Sequence, residues 1–136
     1  MEREHINPKG LYKHPAYTRI ISVKGPMKII FIAGQTPSDD KYQPIAIGDY
    51  RAQYIVVLDN LSLLLKEAGA TWDDVVYKRI FVRDVDKYLK ASTDPTIPKP
   101  WHPDRPPGST LIGVTRLSHP DFLIEIDLMA VTDDPG

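Results

Sequence analysis

A carboxylate placed inside an apolar segment near the C-terminus is the feature of this sequence that most needs a chemical explanation. The segment runs from Ile124 to Val131 and alternates apolar and polar side chains, which predicts a strand with one buried face. Glu125 and Asp127 fall on the polar side of that strand. Either both simply face water or, because a buried unpaired charge is unfavourable, Glu125 lies in a site that uses its charge.

Histidine and cysteine usage restricts the chemistry further. The chain has no cysteine, which excludes disulfides, thiolate metal ligands and a cysteine nucleophile. The four histidines stand at positions 5, 14, 102 and 119, and no two of them are four residues apart. The spacing of a helical zinc motif is therefore missing, and we expect neither a metal nor a cofactor.

Composition indicates an ordinary globular protein. With 136 residues, of which 42% are hydrophobic and 26% charged, the chain is expected to form one domain over residues 1–136. A net charge of −1 leaves no basic excess to neutralise a phosphate backbone, so we expect no nucleic-acid partner. The charged N-terminus and the lack of a long apolar run predict no signal peptide and no membrane partner, which favours the cytoplasm.

The first half of the chain predicts strands that would position these side chains. Residues 1–16 look irregular, and β-branched residues then predict a strand from Thr18 to Lys24. A mainly apolar run predicts a second strand from Lys28 to Ala33, joined to the first by a Gly25-Pro26 turn as a hairpin. A short edge strand is possible over residues 42–47.

Two helices and a strand are predicted in the middle of the chain. The longer helix spans Arg51 to Ala68, with Asp49 as its N-cap and Gly69 at its C-terminal end. A strand follows from Val75 to Val82, and Asp84 to Ala91 predicts a shorter helix. The apolar positions of the longer helix form one stripe, which consists of Tyr54, Leu58, Leu61, Leu65 and Ala68.

Closely spaced prolines end the second helix and shape the segment after it. Six prolines stand between positions 95 and 107, and each would destabilise a helix interior by about 3 kcal/mol. Residues 93–108 are therefore predicted to be an extended loop. Two strands, from Ser109 to Leu117 and from His119 to Val131, would follow, joined by a turn containing Pro120. This order of elements predicts an α+β fold with the helices on one face of the sheet.

Several segments, taken together and in order, resemble the Rid family of reactive intermediate deaminases, which are also called YjgF-like proteins. The match covers nearly the whole chain and is specific as a set, although each piece alone is weak. The matching pieces are Pro15-Ala16-Tyr17, the strand end Phe31 to Pro37, the helix and turn Gln53 to Asp74, the strand Val75 to Asp84, and the last hairpin with Gly113-Val114 and Ile124 to Ile126.

The resemblance implies a fold, an assembly and a reaction. The fold would be a chorismate-mutase-like sheet with two helices on one face, and the assembly a homotrimer with clefts between its subunits. The reaction would be hydrolysis of enamines or imines, such as 2-aminoacrylate, to a ketone and ammonia. By the same resemblance, Tyr17 of this chain would lie near the substrate pocket, and Glu125 would position water or transfer a proton.

One family feature is missing. Family deaminases hold the substrate carboxylate with an arginine, because a guanidinium grips both carboxylate oxygens. The corresponding position here is Ser109, or Gly108 if one gap is allowed, and Arg105 lies nearby in the proline-rich loop. The lost charge-assisted hydrogen bond is worth about 1.5–3 kcal/mol. We therefore expect poor activity on 2-aminoacrylate, or a preference for uncharged substrates.

The resemblance suggests a mechanism for the parts that remain. Glu125 would act as a general base or orient water in a partly dry cleft that raises its pKa, and Tyr17 would donate a hydrogen bond to substrate. Backbone N–H groups near Gly34 and Thr110 would stabilise negative charge, while Ser109 and Ser92 offer neutral hydrogen bonds. Ser92 stands where the family places an asparagine.

The proline-rich segment has two interpretations. It is either a rigid surface loop or a cover over the cleft, in which Trp101 supplies an aromatic wall and His102 a group that titrates near neutral pH. The function also stays open at this point. An imine or enamine hydrolase with altered specificity is one hypothesis. The others are a non-deaminating enzyme on this scaffold (a tautomerase, lyase or cyclase) and a non-catalytic trimeric protein that binds small molecules.

Overall fold

The computed structural model describes residues 1–134 and forms an α+β fold. Two helices cover one face of a four-stranded sheet, and a two-stranded sheet lies beside it. The strands are β1 (Glu2–Ile6), β2 (Ile20–Lys24), β3 (Met27–Gln35), β4 (Val75–Val82), β5 (Gly108–Gly113) and β6 (Ile124–Asp133), and the helices are α1 (Tyr50–Glu67) and α2 (Val85–Ser92). Neither helix combines the length and the hydropathy needed to cross a membrane.

The main sheet places the last strand near its centre. Its order is β3-β6-β4-β5, with β6 antiparallel to both neighbours and β5 parallel to β4. A parallel pair needs a long crossover, which α2 and the proline-rich segment provide here. Glu125 therefore lies on a central strand, whereas Ser109 and Thr110 lie on an edge strand.

The alternation along β6 decides which residues form the core. Its even-numbered residues from Ile124 to Ala130 are buried beneath α1, whose Asp49 N-cap accepts a hydrogen bond from the Ala52 backbone N–H. The apolar stripe predicted for this helix supplies most of the opposing surface, and Tyr54, Leu61 and Leu65 are almost completely buried. The predictions for α1, β4 and α2 are thus confirmed to within one residue.

The other face of the main sheet carries neither helix, and its β3 side is largely open to solvent, whereas Tyr77 and Met129 face the N-terminal segment across a cleft. We call this face the open face, and its apolar members include Ile29 and Phe31 of β3, which are 51% and 72% exposed. Glu125 and Asp127 of β6 also point to this side, because they alternate with the buried residues of the strand.

The hairpin predicted between the strands that are now β2 and β3 is wrong, and so is the irregular structure predicted for residues 2–6, whereas residues 7–16 are irregular as predicted. Glu2–Ile6 forms β1, and this strand rather than β3 pairs with β2. Gly25 adopts a φ of 114° and Pro26 offers no N–H, so the chain turns away there and β3 pairs with β6 instead. The Met1 backbone fills the space at Gly25, where a Cβ atom would be 3.1 Å from the Met1 Cα.

Two further strand predictions are wrong. Residues 42–47 form no strand, because Tyr42 and Ala46 have φ values of 61° and 52°, which an extended chain does not permit. The last two strands do not form a hairpin, because β4 lies between β5 and β6. β5 also ends at Gly113 rather than Leu117, and a loop crosses the end of the sheet before β6 begins at Ile124.

Candidate functional site

The carboxylate of Glu125 rests on the backbone of β3. The pairing of β3 with β6 is irregular between Ile32 and Gln35, and Gly34 lies in that interval. A Cβ atom at Gly34 would be 2.4 Å from Oε2 of Glu125, closer than any real contact. Glycine at position 34 therefore leaves room for the carboxylate where it lies in this structure, and Gly34 and Glu125, which the sequence analysis named separately, lie together.

Glu125 is a free carboxylate in a partly dry position. Burial, assisted by the negative charge of Asp127, raises its pKa above the usual range. It accepts no hydrogen bond and joins no ion pair within residues 1–134. The carboxylate of Asp127, two residues further along β6, is paired instead. Both of its oxygens accept hydrogen bonds from Arg79, whose Nη2 lies 2.6 Å from Oδ2. Only Glu125 of this pair remains available for proton transfer.

A second group of predicted residues lines an open cleft of about 700 Å³ between the N-terminal segment and the β5 edge. We call it the Tyr17 cleft. Tyr17, Ser109 and Thr110 all line it. Because β5 is an edge strand, Ser109 and Thr110 both reach the cleft although their side chains leave the sheet on opposite faces. The Thr110 hydroxyl is hydrogen-bonded to the hydroxyl of Tyr77.

The N-terminal segment is fixed against the start of β5 at one buried residue. The hydroxyl of Thr18 donates to the Pro106 carbonyl, and its backbone N–H donates to the Pro107 carbonyl at 3.3 Å. These bonds hold the adjacent Tyr17 at the cleft, where its ring stacks on His14 with 4.6 Å between centroids. These two hydrogen bonds therefore explain why Tyr17 lies beside the start of β5 at the same cleft.

The structure does not bring Glu125 into the Tyr17 cleft of the same chain. Glu125 pairs with Phe81, whereas Thr110 pairs with Arg79, which in turn pairs with Asp127. Two strand spacings and two residues therefore separate Glu125 from Thr110, roughly 12 Å from ideal sheet dimensions. A substrate held in the cleft would need a carboxylate from elsewhere, or a larger assembly.

The proline-rich segment packs into the protein instead of covering the cleft. Trp101 is buried in the core on the helix-covered side, 5.6 Å from the Trp72 ring. His102 is exposed, and its Nδ1 accepts a hydrogen bond from the Asp104 backbone N–H. Neither residue lines the Tyr17 cleft. Trp101 lies in the core, and His102 lies on the surface.

Ser92 and Arg105 also lie outside the Tyr17 cleft. Ser92 ends α2, and its hydroxyl donates to the Leu89 carbonyl at 3.2 Å. Arg105 is exposed in the proline-rich segment, and its backbone N–H donates to the His102 carbonyl. Arg105 is close enough to His5 that its charge, after burial and the charge of Arg3, lowers the pKa of that imidazole.

Two cationic side chains were missed by the sequence analysis. Arg19 lines the Tyr17 cleft, and its position two residues after Tyr17 was the available signal. Lys78 is buried, with its ammonium 3.3 Å from the centre of the Trp101 ring. Burial, with a smaller contribution from the charge of Lys99, lowers the pKa of Lys78 to about 7. Its place on the apolar side of β4, beside Ile80, was the signal in that case. No group of three metal-binding side chains occurs among residues 1–134.

Comparison with known proteins finds a family whose model matches most of this chain. Residues 11–132 match the family model described as endoribonuclease L-PSP. A RutC family protein of Pyrococcus abyssi is 32% identical over 101 residues, which are 74% of this chain and 76% of that protein. The RutC protein of Acinetobacter baylyi, described as a 3-aminoacrylate deaminase, is 28% identical over 130 residues, covering 96% of this chain and 98% of its own.

A solved structure shows the same fold. The Rid family protein YyfB of Yersinia pestis, described as a protein of unknown function, matches with a TM-score of 0.73 and 27% identity. The match covers 96% of this chain and 98% of that chain. The two-helix arrangement on one sheet face is therefore shared over nearly the full length.

Proposed function

Because this chain belongs to the endoribonuclease L-PSP family, which includes the RutC and Rid proteins, we propose that it hydrolyses imines or enamines of small metabolites. The observation that carries the proposal is the free, half-buried carboxylate of Glu125 on the backbone of Gly34. The relative described as a 3-aminoacrylate deaminase, which is similar over 96% of this chain, supports the same reaction class.

The proposed reaction uses Glu125 to move protons. Water adds to the imine carbon while the carboxylate accepts one of its protons and passes it to the nitrogen, which gives a carbinolamine. The carboxylate then accepts the proton of the carbinolamine hydroxyl and delivers it to the nitrogen as the carbon–nitrogen bond breaks, so that ammonia leaves and a carbonyl compound remains. A carboxylate with a raised pKa suits both steps, since it takes up a proton near neutral pH more readily than an ordinary glutamate.

We further propose that the working form is a homotrimer. In one chain Glu125 and the Tyr17 cleft are separate, and the open face exposes apolar side chains such as Phe31. Covering that face with other copies would bury these side chains and bring Glu125 of one copy toward the cleft of its neighbour. Light scattering checks the assembly, and a monomer would contradict this part of the proposal.

The reaction is tested by following ammonia and ketone formation from imines that an amino-acid oxidase generates in the assay. We expect Glu125→Gln to lower the rate about 100-fold or more, because it removes the proton acceptor but keeps the shape. Asp127→Asn is the matched control on the same strand and should stay within a few-fold of the original rate. Equal rates for the Glu125→Gln variant and the original protein would contradict the assignment.

A further inference from the structure

One wall of the Tyr17 cleft carries a charge that the proposed reaction has not used. Among residues 1–134, those that line the cleft are apolar or neutral except Arg19, which is charged at neutral pH. The Ser109 position, where the family resemblance expects an arginine, lies in the lining of the same cleft. The positive charge missing from β5 is thus present on the opposite wall, at the start of β2.

The Arg19 guanidinium is held with its outer end free. Its Nε donates to the Tyr12 carbonyl at 3.1 Å, and the residue's backbone N–H donates to Oδ1 of Asn7 at 3.0 Å. The guanidinium carbon lies 5.8 Å from the centre of the Tyr17 ring. The two terminal nitrogens have no partner within residues 1–134, so both can donate to one carboxylate.

Arg19 is exposed, and apolar side chains line the same cleft and restrict the ligand that fits. Leu11 and Ile20 line the cleft while remaining 56% and 46% exposed, and Met129 closes its floor on the open face. Such surface favours an organic body that covers it, in a cleft of about 700 Å³. A hydrophilic acid of two or three carbons would leave most of this surface uncovered.

We infer that Arg19 binds the carboxylate of an organic acid whose apolar body packs in the Tyr17 cleft, so that the substrates of this protein are imines or enamines of that class. The inference deepens the proposed function and rests on it for the reacting group, but not for the binding of the acid. It leads us to expect anionic substrates, the opposite of the preference expected from Ser109 alone.

The experiment measures binding without turnover. Binding of 3-phenylpropionate and of its neutral amide to the full chain is titrated by calorimetry, for the original protein, Arg19→Gln and Arg105→Gln. We expect the acid to bind roughly tenfold more tightly than the amide, and Arg19→Gln to abolish that difference. Arg105→Gln, which changes an exposed arginine outside the cleft, should leave it unchanged. No preference for the acid, or a preference that survives Arg19→Gln, would overturn the inference.

Two additions keep the result interpretable. If Arg19→Gln fails to fold, Arg19→Met replaces it, because methionine keeps a flexible, unbranched side chain without the charge or its donors, and undiminished acid binding would again overturn the inference. Imine hydrolysis is measured in parallel. Acid binding that depends on Arg19 without any hydrolysis supports the inference while the proposed reaction fails. Hydrolysis with acid binding independent of Arg19 overturns the inference while the reaction stands.

Discussion

The helix-covered and open faces of the main sheet treat charge in opposite ways. The covered face buries Lys78 against the ring of Trp101, and no carboxylate of the described residues 1–134 pairs with it. The open face carries Asp127, which is paired with Arg79, and Glu125, which forms no hydrogen bond or ion pair within residues 1–134. On the covered face, burial shifts the pKa of a cation that no proposed step uses. On the open face, burial and a like charge shift the pKa of the carboxylate proposed to act.

Because of this difference, we expect substitutions on the two faces to affect different properties of the protein. Changes on the covered face should alter the free energy of unfolding, because the side chains there are packed and desolvated. Changes on the open face should alter the rate or its pH dependence with little effect on stability. The predictions below test this separation, beginning with the largest effect.

Trp101→Ala should destabilise the protein by about 3–5 kcal/mol, since it removes a buried aromatic side chain that packs on Trp72 and Lys78. Urea unfolding followed by circular dichroism measures the change. His102→Ala is the control on the adjacent, exposed residue and should leave the midpoint unchanged. A small effect of Trp101→Ala would mean that the tryptophan is not part of the core.

Gly34→Ala should reduce imine hydrolysis by about 10- to 100-fold, because the new Cβ would displace the Glu125 carboxylate by an ångström or more. The unfolding midpoint should change little, since the glutamate can move into solvent. Steady-state rates and urea unfolding on the same sample check both parts. A full rate would show that the position of this carboxylate is unimportant.

Lys78→Met should stabilise the protein by roughly 1–3 kcal/mol at pH 7, because it removes an unpaired cation from the covered face. The pH dependence has a definite sign. The pKa of Lys78 is lowered to about 7, so between pH 7 and its ordinary pKa the unfolded chain binds more protons and stability rises with pH. Thermal unfolding between pH 7 and 10 should show this rise in the original protein and less of it in Lys78→Met.

Arg79→Gln should produce the smallest effect, a shift in the pH dependence of hydrolysis. Without Arg79, the charge of Asp127 acts on Glu125 unopposed and raises its pKa further. The acidic limb of the pH–rate profile should therefore move upward by about half a pH unit. Asp127→Asn should move it downward. Identical limbs in both variants would show that Glu125 does not titrate in the rate-determining steps.

Local patterns predicted the helices and some strands well, and tertiary partners poorly. The period of the apolar stripe and the Asp49 cap define α1 without reference to the rest of the chain. A period of two identifies β5 and β6 as strands, but it does not say which strands are neighbours, and β4 lies between them. Charged residues concealed β1, whose pairing with β2 is visible only in the folded chain.

The candidate site was predictable to a similar degree. The resemblance placed Tyr17, Ser109 and Thr110 together, and the structure shows them in one cleft. One of the two interpretations of the proline-rich segment placed Trp101 over that cleft, and the other made the segment a rigid surface loop. The ring instead packs in the core, where tertiary contacts override composition.

The central claim is that Glu125 of one copy acts on a substrate in the Tyr17 cleft of another. It is tested most directly by mixing Glu125→Gln and Tyr17→Ala chains, each inactive alone, through joint refolding at equal amounts. Shared sites would then form from one intact Glu125 and one intact Tyr17, and we expect about a quarter of the original hydrolysis rate to return. A mixture no more active than its separate components would contradict the claim.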